Sequence, residues 1–247
     1  MRLTSTLAAL AFALLPATAA LAAPPDFSGC AQSFFEGRAP AATEYQPGQL
    51  YSLCFDSFAV LYSGQSKSPV YSAQYLTRER LLAAHGMKRT DHFYEEARLP
   101  QAARATLEDF RGAQGYDRGH MSEAASMPTP EAMAQSFSLS NITAQRSVLN
   151  RGVWAKNVEK PTRQYAMRSR DGVYVLTGPI YTKAPETIGP DKVWIPHEFF
   201  RLVYDPAAKK AWAYIVPNTD DAQVTRVYSY DDLVRLTGMQ LLPPGAL

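Results

Sequence analysis

Long apolar runs are scarce in this sequence of 247 residues. Outside the first 25 residues, no stretch reaches the roughly 20 apolar residues that a membrane-spanning helix needs. Internal repeats and low-complexity tracts are also missing after the N-terminal segment, which excludes repeat architectures and wholesale disorder. The net charge is small, with 25 basic against 23 acidic residues. Any polyanionic partner must therefore be recognised by a local cluster of basic residues rather than by overall charge.

Signature loops of several protein classes are absent as well. The sequence contains no Gly-x-Ser-x-Gly nucleophile elbow, no Walker phosphate loop and no dinucleotide-binding glycine loop. It also lacks zinc-finger, basic-zipper and aromatic RNA-binding signatures. These absences argue against an elbow-type serine hydrolase, a nucleotide-driven enzyme and a module that reads base sequence.

The N-terminus has the organisation of an export signal. Arg2 supplies the positive charge, residues 7–15 form a short apolar run, and Ala20-Leu21-Ala22 has the small-residue spacing that a signal peptidase accepts. The run is short for a bilayer, which disfavours the alternative of an uncleaved membrane anchor. We predict a signal peptide over residues 1–22, a mature domain over residues 23–247, and a periplasmic or secreted location.

Only two cysteines are present, Cys30 and Cys54, and both lie near the new N-terminus. Oxidising conditions outside the cytoplasm favour their pairing. In the chain-entropy model a disulfide that closes a loop of this size is worth roughly 3 kcal/mol. The alternative of a zinc site is disfavoured because it needs more ligands, and His85 and His92 do not have the spacing of a standard pair.

Patterns of apolar residues predict an α+β fold in a single domain. Short or alternating apolar runs predict strands over residues 58–62, 70–75, 138–142, 173–177, 199–204 and 211–217. Helical periodicity predicts helices over residues 131–135, 149–170 and 231–236. Ser229 with Asp232 three residues later marks the start of the last helix, and Gly238 marks its end. The helices are too few for regular βαβ alternation, so we expect a mixed, largely antiparallel sheet.

Chemically active residue types concentrate in the middle of the chain, around Asp117-Arg118-Gly119-His120. A lone histidine is often a structural residue. Here a tight, glycine-containing segment places the imidazole beside an acid and a guanidinium. An imidazole needs a partner on one nitrogen to leave the other free as a base, and a nearby basic group suits a phosphate.

The residues downstream follow an ordered spacing. Asn141 follows His120 by 21 residues, Asn150 follows Asn141 by nine, and Trp154 follows Asn150 by four. With the Asp-Arg-Gly-His segment ahead of it, this set resembles the DNA/RNA non-specific endonucleases of the ββα-metal class, including secreted sugar-non-specific bacterial nucleases. The resemblance extends over most of the mature chain, so we expect one domain with a ββα-metal catalytic core.

The resemblance implies a role for each matched position. His120 would be the general base that accepts a proton from the attacking water, oriented by a neighbouring acceptor. Asn150 would be the direct protein ligand of one Mg²⁺, for which Mn²⁺ is the expected substitute; magnesium commonly takes few protein ligands and keeps several waters. Glu159 would act at the ion or its water shell. Two further residues, Asn141 and Arg163, would help to position the site and bind substrate.

Two arginines are candidates for binding the phosphate. Arg89 resembles the upstream phosphate-binding arginine of the family, and its guanidinium would stabilise the charge that develops at phosphorus. Its neighbours Arg78, Arg80 and Lys88 are alternatives for the same role. For Arg118, substrate contact and structural pairing with a carboxylate such as Asp117 both stay open.

The resemblance predicts an exported, Mg²⁺-dependent endonuclease that hydrolyses DNA and RNA with little sequence specificity. Basic residues around the motif would form the local positive groove that phosphate binding requires. The alternatives are a non-catalytic nucleic-acid-binding protein that keeps the fold and a secreted structural domain. We expect no stable protein partner and no membrane association, and a homodimer stays open.

One position departs from the family pattern. The glutamate normally follows the tryptophan by four residues, whereas Glu159 follows Trp154 by five and Val158 occupies the expected position. Asn150 and Glu159 are nine residues apart, which on a regular α-helix is about 900° and places them on opposite faces. We therefore predict a kink or a π-bulge between Trp154 and Pro161 that returns Glu159 to the face of Asn150.

Overall fold

The structure, a computed structural model, describes residues 26–40, 50–181 and 184–247. The predicted signal peptide over residues 1–22 lies outside the described residues. Within the described part of the chain, no helix is long and apolar enough to cross a membrane.

A six-stranded antiparallel sheet, in the order β1-β2-β3-β6-β9-β10, forms the centre of the molecule. Two antiparallel ribbons, β4-β5 and β7-β8, lie outside it. The strands are β1 (Leu50–Cys54), β2 (Phe58–Ser63), β3 (Ser68–Leu76), β4 (Tyr116–His120), β5 (Ile142–Arg146), β6 (Val173–Ile180), β7 (Thr187–Ile188), β8 (Val193–Trp194), β9 (Glu198–Asp205) and β10 (Lys210–Pro217). The predicted α+β class with a largely antiparallel sheet is confirmed.

The helices are short apart from one continuous stretch in the middle of the chain. They are α1 (Arg78–Ala84), α2 (Pro130–Ser136), α3 (Ser147–Leu149), a π-helix (Asn150–Glu159), α4 (Lys160–Ala166) and α5 (Tyr230–Thr237). Helix α5 begins with the predicted capping box, in which Ser229 and Asp232 each accept from the other's backbone N–H. It ends at Gly238, whose φ of 69° is the left-handed conformation that glycine adopts without strain.

Two segments differ from their predicted conformation. The predicted strand over residues 138–142 is wrong: Ser138 caps a 3₁₀ turn, Leu139–Asn141, and β5 begins only at Ile142. Serine and asparagine side chains bond to nearby backbone groups, and this local bonding favours the turn. The Asp-Arg-Gly-His segment, expected to be tight, is extended: it belongs to strand β4, which pairs with β5 from Tyr116 to His120.

The two faces of the central sheet carry different layers. Strand β9 shows the division, because successive side chains of a strand alternate between faces. Phe200, Leu202 and Tyr204 pack with the N-terminal segment and α5. Phe199 and Val203 pack beneath the π-helix and α4. The predicted disulfide, Cys30–Cys54, is present and ties the N-terminal segment to β1.

The predicted helix irregularity is a π-helix of 10 residues. The N–H of Lys160 donates to the carbonyl of Ala155, the i→i−5 bond of a π-helix. The π-helix packs Trp154 and Val158 into the core. Asn150 and Glu159 line one cavity, so the wider turns absorb the extra residue and return the glutamate to the face of the asparagine.

Deleting Asn157 should test this account of the helix. Asn157 is exposed, and its removal restores the common spacing and allows a regular α-helix with Glu159 still beside Asn150. Deleting Gln164, which is also exposed, should cost roughly 1–3 kcal/mol more because it rotates the following buried residues out of the core. Urea unfolding of both variants measures the difference; equal losses would contradict the role of the π-helix.

Candidate active site

A cavity of about 800 Å³ lies where β4, the π-helix and the segment after His120 meet. Five of the predicted site residues line it: Arg89, Arg118, His120, Asn150 and Glu159. Its wall carries both basic and acidic side chains, with four arginines (Arg89, Arg111, Arg118 and Arg151) and three carboxylates (Asp117, Glu123 and Glu159). The cavity therefore combines cations for an anionic substrate with oxygen donors for a metal ion.

His120 ends strand β4, where backbone pairing with Ile142 holds it. Its ring packs against two aromatic rings that also contact each other, with centroids 5.5 Å from Phe93 and 4.8 Å from Phe137. Among the described residues the side chain has no hydrogen-bonded acceptor, so the predicted orienting acceptor is wrong and ring packing orients the imidazole. Burial and the positive charge of Arg89 lower the pKa of His120 to about 3. The histidine is therefore neutral near pH 7.

The glycine before this histidine makes room for a side chain of the paired strand. A Cβ atom at Gly119 would lie 2.6 Å from the Cβ of Gln145. Any other residue would separate β4 from β5 at this point, so the glycine keeps His120 in register.

Asn150 is held by a carboxylate of β4. Its Nδ2 donates to Asp117 at 3.0 Å, which leaves the amide oxygen free of this bond. Asp117 also accepts from Ser147 at 2.9 Å and from both Nε and Nη2 of Arg151, at 2.7 and 2.6 Å. Burial would raise the pKa of Asp117, but these bonds outweigh it and lower the pKa. The ionised carboxylate fixes which way the Asn150 amide points.

The two candidate phosphate-binding arginines stack on aromatic rings at the cavity. Arg118 lies 4.1 Å over the ring of Phe93, and Arg89 lies 5.1 Å over the ring of Phe137. Asp117 pairs with Arg151, so the alternative that pairs Arg118 with Asp117 is wrong.

The three neighbouring cations considered as alternatives to Arg89 do not line the cavity. Arg78 and Arg80 donate instead to the backbone carbonyls of Met167 and Tyr75.

Asn141 has the contacts of a positioning residue, as expected, but not those of a substrate-binding residue. It is fully buried, and its amide oxygen accepts from Ser72 at 2.7 Å and from the N–H of Ser122 at 2.9 Å. Its Nδ2 donates to the carbonyls of Ser122 and Ser136. With these bonds in place the amide holds the segment after His120 against β3 and does not reach substrate.

Arg163 is also placed differently from its prediction as a substrate-binding residue. It is not among the residues that line the cavity. Its Nη1 lies 3.2 Å from Glu123 and 3.8 Å from Glu159. The guanidinium therefore bridges two carboxylates behind the cavity wall.

Glu123 and Arg201 are site residues that the sequence analysis missed. The Glu123 side chain is 4% exposed and both of its oxygens accept from Nη2 of Arg201, at 3.0 and 2.8 Å. Arg201 is completely buried. The sequence does carry a signal for Arg201, because this arginine interrupts an otherwise apolar run in β9. A guanidinium in such a run is expected to be buried and to need an anionic partner.

The two carboxylates near Arg163 ionise differently. Burial would raise the pKa of Glu123, but Arg201 and Arg163 outweigh it and lower that pKa. Burial and the negative charge of Glu123 raise the pKa of Glu159, against the opposing effect of the two arginines. A cation placed in the cavity would therefore stabilise the charged form of Glu159.

The donors at the cavity fit a hard divalent cation. The oriented amide oxygen of Asn150 and the carboxylate of Glu159 are oxygen ligands of the kind that Mg²⁺ prefers. Among the described residues, no group of three or more histidine, cysteine, aspartate or glutamate side chains forms a metal cluster. An ion held by these two oxygen ligands would keep several waters, as Mg²⁺ commonly does.

Comparison with known proteins identifies a family and several proteins of similar sequence. The sequence model of a family described as DNA/RNA non-specific endonuclease matches residues 40–244. The chain is 32% identical to mitochondrial endonuclease G of Homo sapiens over 186 residues, which cover 70% of the chain and 61% of that protein. It is 30% identical to the mitochondrial nuclease of Saccharomyces cerevisiae over 229 residues, covering 81% of the chain and 69% of that protein. The chain thus spans about six- to seven-tenths of these relatives.

A solved structure shares the fold. A chain of the crystal structure of the EndoG/EndoGI complex superposes with a TM-score of 0.70 at 24% identity, covering 78% of this chain and 86% of that one.

The buried, neutral His120 should make stability depend on pH. Its pKa is about 3 in the folded chain and about 6.5 when unfolded, so the unfolded chain binds more protons between these values. The free energy of unfolding should then fall by about 2 kcal/mol from pH 7.5 to pH 5 through this group. His120→Asn should lose this share of the dependence, whereas His85→Asn, at an exposed histidine, should keep it. Urea unfolding at both pH values measures this free energy for the wild type and the two variants. The same loss between pH 7.5 and pH 5 in wild type and His120→Asn would contradict the prediction.

Proposed function

Because the chain belongs to the DNA/RNA non-specific endonuclease family, we propose that it hydrolyses internal phosphodiester bonds of DNA and RNA with little sequence preference. The observation that carries the proposal is the convergence of a neutral histidine, an oriented asparagine oxygen and a glutamate on one arginine-lined cavity. The family and the fold expected from the sequence are both confirmed.

His120 acts as the general base. Its Nε2 is buried, so we assign proton transfer to Nδ1, which accepts a proton from the attacking water. The imidazole is unprotonated near pH 7, and packing against Phe93 and Phe137 holds the ring without a hydrogen bond to this nitrogen from the described residues. A neutral imidazole carries the free lone pair that a general base requires.

Asn150 and Glu159 hold the divalent metal ion, which we propose to be Mg²⁺ with Mn²⁺ as a substitute. When bound, the ion supplies Lewis-acid stabilisation of the phosphate and of the leaving oxygen. Asp117 fixes the Asn150 amide through the bond from Nδ2. The π-helix brings Glu159 to the same side as Asn150.

The arginines of the cavity bind the substrate backbone. Arg89 and Arg118 place guanidinium groups over aromatic rings at the site. Nε of Arg89 donates to Asp91, and its terminal amino groups would bind phosphate oxygens, as the guanidinium of Arg118 would. Phosphate contacts carry affinity but no sequence information, which fits a nuclease that does not read bases.

Export of the mature domain, residues 23–247, is part of the same proposal. It rests on the signal-like N-terminus, whereas the two relatives compared above are described as mitochondrial.

The general-base assignment predicts that His120→Ala lowers kcat at least about 100-fold, the effect of a positioned proton acceptor. Purified mature protein is assayed on plasmid DNA and on RNA, with Mg²⁺ and with EDTA. DNA affinity should change little, and the melting temperature checks that the variant is folded at the assay temperature. His85→Ala is the control for loss of a histidine elsewhere, and full cleavage by His120→Ala would rule out the assignment.

The metal assignment predicts that Asn150→Ala raises the Mg²⁺ concentration for half-maximal cleavage by about tenfold or more, because the amide oxygen that touches the ion is lost. Asn157→Ala is a matched control, since this exposed asparagine lies on the same helix. Coincident metal titrations for wild type and Asn150→Ala would show that Asn150 is not the ligand.

A further inference from the structure

Four charged side chains are grouped at the cavity wall: both carboxylates line the cavity, and Arg201 is completely buried. Two carboxylates, Glu123 and Glu159, share two guanidinium groups, Arg163 and Arg201. The two carboxylates do not accept equally from these guanidinium groups. Glu123 accepts from both arginines, and also from Gln74 at 3.0 Å and Ser126 at 2.7 Å.

Arg163 could pair more fully with either carboxylate. It comes from α4, four residues after Glu159, so the two side chains are neighbours on one helix. Its Nη1 nevertheless lies 3.2 Å from Glu123 and 3.8 Å from Glu159. Only the shorter contact is a hydrogen bond. The carboxylate of Glu159 thus stays loosely paired while it faces the cavity.

We propose that Glu123 is a positioning residue that draws Arg163 away from Glu159 and so leaves the Glu159 carboxylate free for a divalent cation. Arg201 makes this role of Glu123 possible, because its guanidinium donates to both oxygens of the Glu123 carboxylate and holds it in place. Without Glu123, Arg163 would turn to the remaining carboxylate and neutralise it. The inference rests on the proposed metal-binding role of Glu159.

The test compares Glu123→Gln with Glu96→Gln. Glu96 is a matched control: it is buried, paired with Arg98, and accepts from Ser138, but it does not line the cavity. The first measurement is a crystal structure of Glu123→Gln without metal. We expect Arg163 to move into hydrogen-bond distance of Glu159, closing the present 3.8 Å separation.

The second measurement is the binding of Mn²⁺ by calorimetry. Glu123→Gln should weaken Mn²⁺ binding by roughly 10- to 100-fold, as loss of a group that orients a ligand does, and Glu96→Gln should not. In cleavage assays kcat should fall while KM for nucleic acid changes little. Glu123→Asp, which keeps the charge, should recover most of the Mn²⁺ affinity.

If Glu123→Gln does not fold, Glu123→Gln with Arg201→Met removes both buried charges, an exchange that folded proteins often tolerate. The same two measurements apply to it.

An unmoved Arg163, or Mn²⁺ affinity within about twofold of wild type, would overturn the inference, since an orienting group is worth more than that. A wild-type protein that binds Mn²⁺ but cleaves no nucleic acid would refute the proposed function instead, and the Mn²⁺ comparison would still decide the role of Glu123.

Discussion

The buried pair of Glu123 and Arg201 joins the layers of this molecule at the site. Arg201 lies in one register row with Ser72 and Thr177 across three strands of the central sheet. Its charge is completely buried, and leaving one member of such a pair alone costs roughly 3–5 kcal/mol. Glu123 meets it from the segment after His120 and also contacts α4 through Arg163. The sheet, the helix and the histidine segment are thereby fixed relative to one another.

The row of polar side chains Ser72, Thr177 and Arg201 helps to explain why the site residues hold defined positions. Ser72 bonds to Asn141, and Arg201 bonds to Thr177 and to Glu123. These bonds replace hydration lost on burial, and those to Asn141 and Glu123 require a defined position of the segment that follows His120. The packed sheet therefore acts as a rigid base for the cavity, while the arginines at its rim stay partly exposed.

Local patterns were enough for several parts of the fold and site. Alternation predicted five of the strands, the capping box predicted α5, and the register of Glu159 predicted an irregular helix. They failed in two segments. The segment of residues 138–142 begins as a turn because Ser138 and Asn141 bond to nearby backbone, and Asp117–His120 is a strand because β5 pairs with it.

The sequence by itself determined the family, the ordered set of catalytic residue types and the need for a wider helical turn, because motif spacing and helical rotation are properties of neighbouring residues. Only the tertiary structure decided which of these side chains share a cavity. It removed Asn141 and Arg163 from substrate contact and added Glu123 and Arg201. The reason is physical: a buried charge or amide takes its role from partners that the fold brings from distant strands, and those pairings leave no local pattern.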